Sequence, residues 1–123
     1  MYTTIPQTAV VSIALIVGGA NIVIIPAQGP LFAIRVVGCQ LSVDRTSAGI
    51  TDLDLHDNNL PGLGGQIVRG SIGVGGTRCI IPFIPEPGIQ ISVNTSLVLE
   101  TTSTSNTGNG IALVYYFIDQ VGP

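Results

Sequence analysis

The sequence predicts an all-β chain, a jelly-roll-like β-sandwich of two sheets with about nine strands, and three observations carry that expectation. Apolar and polar residues alternate, as where Ile89, Ile91 and Val93 interleave with Gln90, Ser92 and Asn94. Successive side chains on an extended backbone point to opposite faces, so each such segment offers a sheet one apolar face. Helix signals are nearly absent: no window repeats apolar residues at three- and four-residue spacing, and 16 Gly and 8 Pro interrupt every run. Turn residues recur about every 8–12 residues, the pattern of a sandwich or barrel. With 123 residues the chain is long enough for one core. A single open sheet would leave one apolar face in water, which favours two packed layers and, among sandwiches, a jelly roll.

Taken in order, the strands begin with Ala9–Val17 and Asn21–Ala27, joined at Gly18-Gly19-Ala20. Gln28-Gly29-Pro30 turns the chain into a long run, Leu31–Val43, and Asp44–Gly49 reads as a polar loop. Ile50–His56 follows, with Leu53 and Leu55 inward and Asp52, Asp54 and His56 outward. Asp57-Asn58-Asn59, Pro61-Gly62 and Gly64-Gly65 make the next connection. Gln66–Ile72, the Gly73–Gly76 turn and Thr77–Phe83 lead into the rigid corner Pro85-Glu86-Pro87-Gly88. Ile89–Thr95, Leu97–Thr102 and Ile111–Asp119 complete the set, with a polar loop at Thr101–Gly110. In the closing strand Ile111, Leu113, Tyr115 and Phe117 share one side. Tyr115 and Phe117 are expected to fill the core, with Tyr116 facing out or into a subunit contact.

Composition narrows the function classes. Charged residues are 9 % and hydrophobic residues 46 % of the chain, with a mean hydropathy of +0.59. An ordinary soluble domain carries about 25 % charge. Lysine is absent, and the positive charge rests on Arg35, Arg45, Arg69 and Arg78. So little charge points to surface covered by neighbouring subunits or a larger body. A net charge of −3 and four scattered arginines make no basic stripe, which excludes nucleic acid as a partner. Thr8–Ala27 is nearly continuous apolar over the length of a membrane span. Gly18, Gly19, Asn21 and Pro26 interrupt it, no Lys or Arg precedes Arg35, and its Val and Ile favour strands. Two strands are therefore expected there, and no membrane partner.

Cys39 and Cys79 lie in strand-like runs and read as buried thiols, without a CxxC pair for zinc. Asp52, Asp54 and His56, with Asp57 beside them, have the chemistry of metal ligands, but the spacing fits no EF-hand loop. Alternation alone places polar residues on that face, so it reads as a solvated strand face, and no metal or cofactor is assigned. His56 is the only histidine, and no Gly-x-Ser-x-Gly elbow accompanies it. Gly73-Val74-Gly75-Gly76 precedes no helix and reads as a turn, not a phosphate loop. No enzyme is predicted.

From Asn21 onward the order of features resembles the small jelly-roll virion proteins of tailed bacteriophages. The likeness rests on the strand Leu31–Ser42, the segment Asp52-Leu53-Asp54-Leu55-His56-Asp57, and the Gly-rich stretch after it. It continues through Pro82-Phe83-Ile84-Pro85, Ser96–Thr102 and the glycine-led aromatic strand Gly110–Phe117. The resemblance implies a virion structural protein, a homotrimeric decoration (cement) protein that binds the major capsid protein at the capsid surface. The alternative it implies is a receptor-binding or adhesion knob on a tail or fibre, contacting cell-surface glycan through the Thr101–Gly110 and Asn58–Gly65 loops. The apolar start departs from that pattern. It divides the chain into an N-terminal arm or strand, residues 1–20, and a sandwich domain, residues 21–123. The interface is expected at Val10, Val11, Ile13 and Leu15 of the arm and at Val114, Tyr116 and Ile118 of the closing strand.

Overall fold

A computed structural model describes residues 5–43, 50–60, 62–73, 79–104 and 108–122. The expected loop at 44–49, most of the Gly73–Gly76 turn, residues 77–78 and positions 105–107 lie outside the described residues. Among the described residues nine strands form: β1 (Gln7–Ala14), β2 (Ala20–Ile25), β3 (Phe32–Val43), β4 (Thr51–Asp57), β5 (Gln66–Ile72), β6 (Cys79–Ile80), β7 (Ile89–Gln90), β8 (Leu97–Ser103) and β9 (Asn109–Gln120). A 3₁₀ turn, Gly62–Gly65, precedes β5. Among the described residues no helix is long and apolar enough to cross a membrane, and the apolar run Thr8–Ala27 is divided between β1 and β2.

The first sheet runs β1-β9-β3-β6, with β7 also on β3, and the second runs β2-β8-β4-β5. The strand pairings are antiparallel, and one set of them is nested: β4 with β5, β3 with β6 and β7, β2 with β8, β1 with β9; β3 with β9 and β4 with β8 complete the two sheets. The chain behaves as one long hairpin rolled around a core, its successive strands changing sheets. That is the jelly roll, with two Greek keys. Among the described residues, the strand expected at Thr77–Phe83 and the one at Ile89–Thr95 are represented by the two-residue β6 and β7. Pro82, Pro85 and Pro87 lie between them, and proline cannot donate to a ladder.

Of the segment expected as an N-terminal arm or strand, the described part forms a strand of the first sheet. β1 pairs with β9 from Gln7↔Tyr116 to Ala14↔Asn109, and Leu15 just beyond it is 1 % exposed inside the core. Gly18 and Gly19 then carry the chain to the second sheet with φ of 98° and 129°. A Cβ on Gly19 would stand 2.8 Å from the Thr101 carbonyl oxygen, so both backbone conformation and space demand glycine.

The core lies between the sheets. Ile34, Val36, Cys39, Leu41 and Val43 of β3 and Ala112 and Val114 of β9 face Leu53 and Leu55 of β4 and Leu97 and Leu99 of β8. Each large side chain sealed there contributes about 1.5–3 kcal/mol. Both cysteines are free, Cys39 buried and Cys79 half-buried; desolvation pushes the Cys39 thiol up to about 11.

Candidate functional site

The two outer faces of the sandwich differ in chemistry. On the first sheet the inward residues of β9 are Gly110, Ala112, Val114, Tyr116 and Ile118. Expectation placed the opposite set inside, so the parity of this strand is corrected by one residue. A one-residue change of register exchanges every side chain between faces. Tyr116 packs against the core, whereas Tyr115 is 40 % exposed, its ring over Gly38. Phe117 is half-buried beside Arg35 on the outer side.

The predicted interface residues are redistributed accordingly. Val114 and Leu15 are core residues, and Val11, Ile13, Tyr116 and Ile118 pack against the core from its margin. Their side chains serve this chain's own interior. Val10 alone of the seven faces out, 62 % exposed. It stands opposite Leu113, while Thr8 stands opposite Tyr115. Leu113 in turn stands opposite Gln40 of β3, and Phe117 opposite Arg35. Val10, Leu113, Tyr115 and Phe117 thus form a continuous apolar and aromatic surface across β1 and β9.

One charged group interrupts that surface. The Arg35 guanidinium lies 4.9 Å from the centre of the Phe117 ring. Its Nε donates to Asp119 Oδ2 at 2.8 Å, its Nη2 to Oδ1 at 3.3 Å and its Nη1 to the Pro87 carbonyl at 2.6 Å. Gln90 Nε2 adds a donor to Asp119. The Arg35 hydrogen bond holds the Asp119 carboxyl below the usual carboxylate range. Along the free edge of the same sheet, the link between β6 and β7 leaves Phe83 86 % exposed.

The outer face of the second sheet is polar. Arg69 Nη2 and Ser71 Oγ of β5 both donate to Asp52 of β4. The expected solvated face fails beyond that point. Asp54 is 8 % and His56 6 % exposed, because the β4–β5 connection folds back over its own hairpin. His56 Nε2 is 2.8 Å from the Leu60 carbonyl oxygen, and Gly65 passes so close that a Cβ there would collide with Nε2 and with the Leu60 oxygen. Only glycine fits under the loop at this crossing.

Glu100 of β8 is the cross-strand partner of Asp54 and completes a cluster that its sequence distance concealed. His56 Nδ1 lies 3.1 Å from Glu100 Oε1 and 3.4 Å from Asp54 Oδ2. Burial pushes the Asp54 carboxyl up to about 6; the Glu100 charge adds to the rise and His56 opposes it. The neighbouring Asp57 is different. It is 3 % exposed but accepts hydrogen bonds from the Ser92 amide, the Ser92 hydroxyl and the Asn59 amide. That carboxylate has a structural task, tying the turn after β4 to the segment before β8.

No family model matches the chain, and no characterised protein sequence matches it. Solved structures do. A chain of the acid-stable capsid of Helicobacter pylori bacteriophage KHP30 superposes with a TM-score of 0.56 at 10 % identity, over 98 % of this chain and 95 % of that one. PirA superposes with a TM-score of 0.48 at 10 % identity, over 89 % of this chain and 93 % of that one. The chain therefore shares its whole β-sandwich with a protein from a phage capsid structure, at the level of the fold.

Proposed function

We propose that this chain is a virion structural protein, a decoration (cement) protein that binds the capsid surface as a homotrimer and stabilises the shell. The observation that carries the reading is the apolar outer face of the first sheet, formed by Val10, Leu113, Tyr115 and Phe117 with the Arg35–Asp119 pair at its end. Surfaces of this kind mark association sites, and aromatic residues with an arginine beside them match the composition of interface centres. The 9 % charge of the whole chain supports it, as does the fold shared with a chain of a phage capsid.

Its mechanism is burial. A standard contact removes about 800 Å² per partner from water, and apolar area contributes about 25 cal/mol per Å². Sites repeated over a shell and linked within an oligomer act together, so modest contacts per copy hold tightly. The partners are further copies of the chain and the major capsid protein.

The test is addition of the purified chain to phage heads lacking it, with bound copies counted and head survival on heating measured. Wild type should bind as an oligomer and raise survival. Tyr115→Glu and Val10→Glu change exposed positions, so both should fold, stay monomeric in light scattering and leave the heads unprotected. A wild-type chain that is monomeric and indifferent to heads would overturn the proposal.

A further inference from the structure

We propose that Asp54, His56 and Glu100 bind a divalent transition-metal cation, with Zn²⁺ the best match to their donors. Three lone pairs converge here. Nε2 of His56 faces the Leu60 carbonyl at 2.8 Å, and a carbonyl only accepts, so Nε2 carries the hydrogen. In the neutral ring Nδ1 then offers a lone pair, and it points at two carboxylates, which are acceptors too when ionised. Metal-bound histidines commonly have this arrangement, one nitrogen on the metal and the other donating to a backbone carbonyl.

The distances suit a small ion. The three ligating atoms lie within 4.8 Å of one another, and Nδ1 is 3.4 Å and 3.1 Å from the two carboxylate oxygens. Donors about 2.0–2.1 Å from a tetrahedral Zn²⁺ are separated by about 3.3–3.5 Å. One imidazole and two carboxylates favour zinc or a similar metal over Ca²⁺ or Mg²⁺, which take six or more oxygens.

A second observation is independent of the donor set. Among the described residues, Asp54 Oδ2 and His56 Nδ1 are both sealed from solvent and lack a hydrogen-bond partner, their nearest polar neighbours being each other and Glu100. Buried polar atoms left in this state are costly, and Asp57 shows that the fold supplies donors to a carboxylate where it uses one structurally. Among the described residues no arginine compensates. Arg69, across the strand from Asp54, bonds Asp52 instead. The Glu100 side chain is 38 % exposed, leaving an entry path and room for water as a fourth ligand. A bound ion would join β4 to β8 and, through the imidazole, fasten the loop at Leu60.

The experiment uses untagged full-length chain stripped with EDTA, titrated with Zn²⁺ by calorimetry and melted with and without it. Wild type should bind one Zn²⁺, and its melting temperature should rise by several degrees at roughly 100 times Kd. Glu100→Gln keeps the size of a partly exposed side chain and should fold, yet weaken binding at least tenfold; His56→Ala should abolish it. Absence of heat and of a melting shift in wild type overturns the proposal. So does equal Zn²⁺ affinity in Glu100→Gln, which would assign the ion to Cys39 or Cys79. Head binding by Tyr115→Glu plays no part in these readings, so the two proposals stand or fall separately.

Discussion

The two outer faces of this sandwich cover the same core and face the same solvent, yet one is apolar and the other a polar network. On the first sheet Val10, Leu113, Tyr115 and Phe117 are continuous, with Arg35 and Asp119 the only ion pair beside them among the described residues. On the second, Asp52, Arg69 and Ser71 are bonded in the open and Asp54, His56 and Glu100 are gathered beneath a loop. Folding needs only the inner faces, because burial between the sheets supplies the driving force. The outer faces are therefore free to specialise. The apolar one suits a flat partner of matching shape, and the polar one suits a small ligand held by converging atoms.

If this division is right, the interior should not distinguish the two sheets. Leu41→Ala in β3 and Leu99→Ala in β8 each empty a fully buried position, and each should cost about 2–5 kcal/mol. Urea unfolding should show lowered midpoints with unchanged slopes in both variants. A large effect in one and a negligible one in the other would mean that the layers do not share one core.

The inner faces were also the legible part of the sequence. Leu53 and Leu55 alternate with charged neighbours, so their direction could be read from period two, and β5 has the bounds expected, Gln66–Ile72. β9 resisted the same treatment because every position from Ile111 to Ile118 is apolar or aromatic, so alternation gave no parity. Its pairing with β3 also shifts register between Val36 and Gly38, which local sequence does not announce. The polar cluster was half visible: Asp54 and His56 share a face by spacing, but Glu100 joins them only through strand pairing. Their burial depends on a loop doubling back, and the one trace of it in the sequence is Gly65.

That glycine sharpens the comparison at the next level of energy. Gly65→Ala forces a Cβ into the imidazole and a backbone oxygen, and overpacking of this kind costs about 1–3 kcal/mol. Gly38→Ala is the matched change on the apolar face. Its Cβ would come 3.3 Å from Tyr115 Cδ2, and an exposed ring can swing away, so the cost should stay within about 0.5 kcal/mol. Thermal melts of the two variants measure the contrast directly. Equal losses would show that the loop yields as readily as the ring.

The smallest effect concerns the charges, where the two faces move their carboxyls in opposite directions. Burial raises Asp54, while the Arg35 guanidinium lowers Asp119. For Asp119 the folded pKa lies below the unfolded one of about 3.9. Its contribution is therefore complete above the unfolded value and disappears as pH falls through the folded one. Asp119→Asn removes that contribution at neutral pH and leaves strongly acidic solutions unaffected. Both side chains are about a quarter exposed, 26 % and 25 %, so solvent screening limits the loss to about 1 kcal/mol or less. Wild type and variant should differ in midpoint at pH 6 and converge toward pH 2 in urea titrations. A gap that persists unchanged at pH 2 would mean that Asp119 acts through the packing of Arg35 on Phe117, and that the apolar face needs the arginine's shape more than its charge.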